Sequence, residues 1–271
     1  MKKRLISLLM VSLMVFSFVA CQKDDNGEDN SLKYIQDKGK FILGLDDSFP
    51  PMGFRDESDN IVGFDIDLAT AVCEKLGVEL VLQPIEWDAK EVELNTKNID
   101  CIWNGFSVTP DRLENLTMTK PYMLNNITIV VTKNSDITSM ADMAGMKLAL
   151  QSGSSAEETL NSDDNKAFRE SLDKVNPFSD YVTALMDLET GNSDAVLMDS
   201  VVAEYMINDL GKDFVVVDDT LLKDEYAIGF RKGEDALCAA VENALKELKA
   251  DGTVEEISTK WFGSDVTLIE K

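Results

Sequence analysis

From Lys40 onwards, short apolar runs alternate with amphipathic ones, and this alternation limits the fold more than any other feature of the chain. Residues 40–45 (KFILGL) read as a strand. Ala69, Val72, Cys73 and Leu76 then recur at helical spacing, and Gly77 stops that helix. A second strand is predicted over 78–82 and a third over 99–103, after a short helix near 88–95. A βαβαβ order of this kind implies a mostly parallel sheet with helices on both faces. The rhythm restarts with strands at 127–132 and 146–150, a helix over 181–190 closed by Gly191, and a strand at 195–198. It ends with a strand at 226–230 and an amphipathic helix at 235–250. Two such rhythms without a sequence repeat favour two α/β lobes over one continuous sheet, with a cleft between lobes as the usual ligand site.

Composition narrows the chemistry. The 271 residues hold 50 Asp plus Glu against 26 Lys plus Arg, a formal charge of −24 that repels phosphate backbones and argues against nucleic acid. There is no histidine, which excludes His-based triads, His zinc sites and a histidine general base. The four cysteines, at 21, 73, 101 and 238, have no CxxC spacing; no metal or cofactor is expected.

Residues 1–20 read as a signal peptide: a basic start, then an apolar stretch too short for the roughly 20 residues that span a bilayer. The stretch ends Phe18-Val19-Ala20-Cys21, which resembles a lipobox that would leave Cys21 lipidated; Phe18 stands where the pattern usually has Leu. An ordinary secretory signal with an incidental cysteine is the alternative. Residues 21–30 (CQKDDNGEDN) have nothing apolar to pack beyond Cys21 and are expected to form a flexible tether. Cys73 and Cys238 fall on apolar stripes of predicted helices and Cys101 in an apolar strand, and all three are expected as buried thiols.

Several segments then agree, in order, with one family. Gly63-Phe64-Asp65-Ile66-Asp67-Leu68 is followed by Val72-Cys73 and Leu76. Asp46-Asp47-Ser48-Phe49-Pro50-Pro51 follows the first strand, and Asn104-Gly105-Phe106-Ser107-Val108-Thr109-Pro110-Asp111-Arg112 follows the third. Gln151-Ser152-Gly153-Ser154-Ser155, Asp194 through Asp199, and Trp261-Phe262-Gly263 complete the set. Over residues 34–263 the chain resembles bacterial extracellular solute-binding proteins of family 3, the polar amino-acid type of ABC-transporter substrate-binding lipoprotein. The resemblance implies a two-lobed type II periplasmic-binding-protein ("Venus flytrap") fold, each lobe a mostly parallel sheet flanked by helices. Residues 31–121 plus 226–271 would form lobe one, 127–220 lobe two, and 122–126 and 221–225 the hinge crossings.

It further implies a monomer that closes on a free amino acid, partnered by an ABC permease and ATPase and held to the membrane by the lipid anchor alone, at the outer face of the cell membrane or in the periplasm. Arg112 matches the motif arginine, whose planar fork grips a carboxylate with two hydrogen bonds. Asp199 would meet the α-ammonium, alone or while also capping the next helix. Gly105, Ser107, Ser154 and Ser155 would complete the carboxylate cradle, the serines also suiting a helix start. Phe49 and Trp87 match aromatic walls around the ligand side chain, Phe49 with core packing as the rival role and Trp87 less core-like because polar residues flank it. Asp46, Asn104 and Gln151 would touch the ligand side chain, Asp46 favouring an amide, hydroxyl or cationic tip. Asp65 and Asp67 are read as acidic residues in a helix's first turn, outside the site. Two further functions share the fold: a dehydratase resembling the periplasmic cyclohexadienyl dehydratases, and a ligand-sensing module.

Overall fold

The computed structural model describes residues 28–270. The expected signal peptide, Cys21 and the tether up to residue 27 lie outside the described residues. Residues 28–30, also assigned to the tether, are already engaged. The Asp29 carboxylate accepts from the amides of Ser31 and Ala236, and Asn30 precedes the first helix.

The chain opens with α1 (Ser31–Lys38) and β1 (Lys40–Leu45), followed by a small antiparallel sheet of β2 (Ser48–Phe49), β3 (Gly53–Arg55) and β4 (Ile61–Val62). Then come α2 (Phe64–Leu76), β5 (Glu79–Pro84), α3 (Lys90–Asn95), β6 (Cys101–Ser107), α4 (Pro110–Asn115) and β7 (Leu116–Met118). The middle of the chain holds β8 (Met123–Thr132), β9 (Lys147–Gln151), α5 (Ser155–Asn161), α6 (Lys166–Ser171), β10 (Lys174–Phe178) and α7 (Tyr181–Glu189). It closes with β11 (Ala195–Asp199), α8 (Ser200–Asn208), β12 (Phe214–Arg231), α9 (Asp235–Asp251) and α10 (Thr253–Phe262).

The α/β alternation and the two mostly parallel sheets flanked by helices are as expected; what the sequence does not foretell is that the two sheets are joined edge to edge. One hydrogen-bonded path runs β10-β9-β11-β8-β12-β6-β1-β5, with β7 beside β12. The two ends of this path are parallel, β5, β1 and β6 at one and β10, β9 and β11 at the other. Between them β8 and β12 pair antiparallel from Thr132 opposite Phe214 to Met123 opposite Tyr226. The segments expected as crossings are thus themselves paired strands, and their ladder keeps the sheet unbroken.

Local chemistry starts the helices that matter for the site. Thr109 caps α4 by accepting from the Arg112 amide, and Pro110 supplies a helical φ at its first position. Ser154 caps α5 through the Glu157 amide, and Asp180 caps α7 through the Thr183 amide. Ahead of α2, Gly63 has φ 150°, and a Cβ there would sit 2.1 Å from the Met52 carbonyl oxygen. Gly105 bends β6 with φ 56°, in contact with Phe49 and Tyr226, where a Cβ would lie 2.6 Å from the Phe49 ring. The bend turns the Gly105 amide onto Asp65 Oδ2, at 2.8 Å, which also accepts from the Tyr122 hydroxyl at 2.9 Å. Asp65 therefore does more than complement the dipole of α2: it ties that helix to the strand carrying the site. Burial pushes its carboxyl up to about 7.

The largest apolar cluster combines Phe41, Phe64, Val72 and Val241 with Tyr181, Leu185, Val196 and Met198, so both ends of the sheet share it. Cys73, Cys101 and Cys238 are free thiols within this core. Burial pushes Cys73 and Cys238 up to about 12.

Gly63→Ala is expected to cost about 2 kcal/mol or more, because strained φ and a backbone clash add. Gly39→Ala, also at positive φ but with nothing within 4 Å of the added Cβ, should cost about 1 kcal/mol. Urea denaturation of the two variants checks the difference.

Candidate functional site

The C-terminal ends of β1, β6, β9 and β11 carry most of the expected residues, and the structure gathers them in two polar clusters. In the first, Asp46 follows β1. Its Oδ2 accepts from Gln151 Nε2 at 2.7 Å, and its Oδ1 from the Ser48 amide and hydroxyl. Asn104 Oδ1 accepts from the Asp46 amide at 3.1 Å, and Gln151 Nε2 also donates to the Ser179 carbonyl. Burial raises the Asp46 carboxyl, with the charge of Asp180 adding to it, although the Ser48 and Gln151 donors oppose the shift. Asn104 Nδ2 and Gln151 Oε1 are buried without a partner.

The second cluster runs from Arg112 to Asp199. Arg112, the motif arginine, is 1% exposed and stacks over Phe106 at 4.3 Å. Its Nη1 donates to the Ser107 carbonyl at 3.0 Å, its Nη2 to Glu158 Oε1 at 2.8 Å, and its Nε has no partner. Ser107 Oγ donates to Asp224 Oδ2 at 2.5 Å and lies 2.8 Å from Ser155 Oγ. Asn125 Nδ2 spends its two protons on two carboxylates, Asp224 Oδ2 at 2.9 Å and Asp199 Oδ1 at 2.6 Å. The Tyr226 hydroxyl donates to Asp199 Oδ1 and the Tyr181 hydroxyl to Oδ2. Asp199 makes no side-chain capping bond to α8, so the capping half of its expected role is absent. Burial, then the neighbouring Asp224 charge, push the Asp199 carboxyl up to about 7. Burial also raises Asp224, with Arg112 pulling the other way.

Such a site holds Arg112 at one end, paired to Glu158 but with its Nε spare, and at the other the buried Asp199, which has no cationic partner among the described residues. A zwitterion presents the complementary pair.

The comparisons decide the family. The family model for bacterial extracellular solute-binding proteins, family 3, matches residues 41–264. The chain belongs to that family. Among its relatives, the L-cystine-binding protein TcyJ of Escherichia coli strain K12 is 29% identical over 244 residues, covering 89% of each chain. The arginine-binding extracellular protein ArtP of Bacillus subtilis strain 168 is 31% identical over 264 residues, 97% of this chain and 98% of the relative. A crystal structure of an ABC uptake transporter substrate binding protein from Streptococcus pneumoniae with bound histidine has a TM-score of 0.82 at 38% identity, over 89% of this chain and 98% of that one.

In this family-3 chain the remaining expected residues take varied positions. Phe49 packs against Tyr181, ring centroids 5.9 Å apart, and so borders the Asp199 end. Ser154 caps α5, donates to the Gln151 carbonyl and neighbours the Tyr181 hydroxyl, between the two clusters. Trp87, expected to be less core-like, is buried edge-on to Phe106 among Leu94, Ile99 and Leu116; it backs the ring on which Arg112 stacks. Asn125, Asp224, Tyr181, Tyr226, Glu158 and Lys90 escaped the sequence reading. A single polar residue in an irregular strand or a charged helix has no periodic signal; the two acids inside the expected crossing 221–225, Asp224 and Glu225, were the nearest hint.

The raised carboxyls set a pH dependence. A carboxyl whose folded value lies above its unfolded one is favoured in the protonated form, so stability falls as pH rises from 3.8 to about 7. Asp65 and Asp199 each contribute up to about 1.4 kcal/mol per pH unit across that window. Asp199→Asn should flatten the decline in urea-denaturation stability between pH 5 and pH 7.

Proposed function

We propose that this chain is the substrate-binding component of an amino-acid ABC importer, closing two lobes on a free polar L-amino acid or cystine and delivering it to a membrane permease. The separation of charge in the second cluster carries the proposal: Arg112 keeps a buried unpartnered Nε, and Asp199 lies in a neutral ring of Asn125, Tyr181 and Tyr226. In this proposal Arg112 takes the ligand carboxylate, with Ser107 and the start of α5 beside it, and Asp199 takes the ammonium. Lobe one comprises residues 31–121 and 226–271, lobe two 127–220, with 122–126 and 221–225 as hinges. Contacts from both lobes form together only on closure, so the ligand shifts the open–closed balance.

Asp46 with Asn104 and Gln151 then receives the side chain. A buried carboxylate surrounded by neutral donors gains most from a cationic or amide tip and rejects Asp or Glu by like-charge repulsion. The named relatives bind cystine, arginine and histidine, which supports a polar side chain and capture without a chemical step. Export with a lipid anchor at Cys21 belongs to the same proposal.

Arg112→Ala is expected to abolish measurable amino-acid binding in calorimetry while circular dichroism stays unchanged. The loss is on the order of 2–5 kcal/mol, as for truncating one partner of a buried charge pair. Unchanged affinity in the folded variant would remove the assignment. Asp46→Asn should weaken cationic amino acids by at least about tenfold relative to amide ones in a thermal-shift series over the twenty amino acids and cystine; an unchanged ranking would remove Asp46 from the side-chain site.

A further inference from the structure

Lys90 is a buried cation that neither polar cluster uses. It opens α3, is 4% exposed, and forms no ion pair among the described residues. Its Nζ donates to the Gly153 carbonyl at 2.7 Å and lies 5.4 Å from the centre of the Trp87 ring. Gly153 stands at φ 68° so close to Asp88 that a Cβ would come within 2.9 Å of its backbone. The loop 151–155 is therefore seated directly on the segment 87–90. Twenty-two residues along from Lys90, Arg112 reaches the same side through Glu158.

Burying an ammonium against a carbonyl and a ring face, with no ion pair, is costly. Desolvation lowers the Lys90 ammonium to about 8, with the Arg112 charge adding to the effect and Glu158, Glu91 and Asp88 opposing it. A methionine of similar length would cover Trp87 without that cost. Packing of α3 thus does not account for a charge here, whereas the bond to Gly153 does: it joins residues far apart in sequence, across the two walls that carry Asp46 and Gln151, Ser107 and Ser155.

We propose that Lys90 is a positioning residue, a latch that holds the 151–155 loop against the 87–112 wall and so sets how long the closed complex lasts; this rests on amino-acid capture between those walls. The latch forms after encounter, so it acts on dissociation and leaves association alone. It touches the loop's backbone and not the ligand, so it lengthens the lifetime of every bound amino acid alike.

The test is stopped-flow binding of each of the twenty amino acids and L-cystine that raises the melting temperature of the unaltered protein, on the wild type, Lys90→Met and Lys90→Arg. Lys90→Met should raise the dissociation rate about tenfold for each ligand, leave the association rate within twofold, and leave the melting temperature of the ligand-free protein unchanged. Lys90→Arg, which keeps a cationic donor, should recover most of the lost lifetime. An unchanged dissociation rate with normal binding would overturn the latch alone. So would a fall in ligand-free stability matching the loss of affinity, which would mark Lys90 as structural. Absence of amino-acid binding by the unaltered protein would remove the proposed function and the latch with it.

Discussion

The antiparallel pairing of β8 with β12 is the constraint on which the rest of the molecule depends. It sets Asn125 opposite Asp224 and Met123 opposite Tyr226, while the other edge of β12 sets Tyr226 opposite Ser107. Directly opposed residues on adjacent strands have Cβ atoms about 5 Å apart, within reach of an amide and a carboxylate. Register alone thus brings Asn125, Asp224 and Ser107 together. A slip of one residue would send Asp224 to the other face of the sheet and leave Asn125 facing Asp199 alone. The register shifts on the β8 side lie between Val216 and Leu222, beyond this polar stretch.

Around that ladder, polar satisfaction is uneven in a consistent way. At the base, Asn125 uses both amide protons and Asp199 accepts from three donors. Fully bonded networks in low dielectric are rigid, and they fix the geometry around them. Towards the walls, Arg112 Nε, Asn104 Nδ2 and Gln151 Oε1 lack partners. Rigid groups below and spare valences above are what a site needs if its ligand is to be recognised by hydrogen bonds without rearranging the scaffold. Asp65 extends the rigid part by fixing the bend at Gly105 from behind.

Much of this was legible in the sequence, and the gaps have physical reasons. The first strand, 40–45, and the helix from 181 stand out because their periodicities are strong and glycine or an aspartate cap bounds them. Of β12, only residues 226–230 could be read, because Val217, Asp218, Asp219 and Thr220 follow no alternation and much of the strand before residue 226 is solvent-facing. The small strands β2, β3 and β4 are two or three residues long, below the length at which period two can be recognised. Arg112, Ser107 and Asp199 could be named as candidates because they lie in motifs. Lys90 could not, since Lys-Glu-Val-Glu looks like an exposed helix turn and the burial of Lys90 comes from a loop more than sixty residues away. Asp224 was missed for the same reason: its neighbours Lys223 and Glu225 suggest solvent, and the strand across from it decides otherwise.

The missing histidine acquires a consequence from the buried carboxyls. In most proteins histidine supplies the proton exchange near neutrality; among the described residues here, Asp65 and Asp199 are the groups raised to about 7. Asp65 is sealed between α2 and β6, whereas Asp199 faces the end of the site that lacks a cation. A cation brought against Asp199 restores its ordinary acidity and expels whatever proton it holds. Under the proposed function, in which Asp199 meets the ligand's ammonium, capture releases a proton at neutral pH, and its apparent heat depends on the ionisation enthalpy of the surrounding buffer.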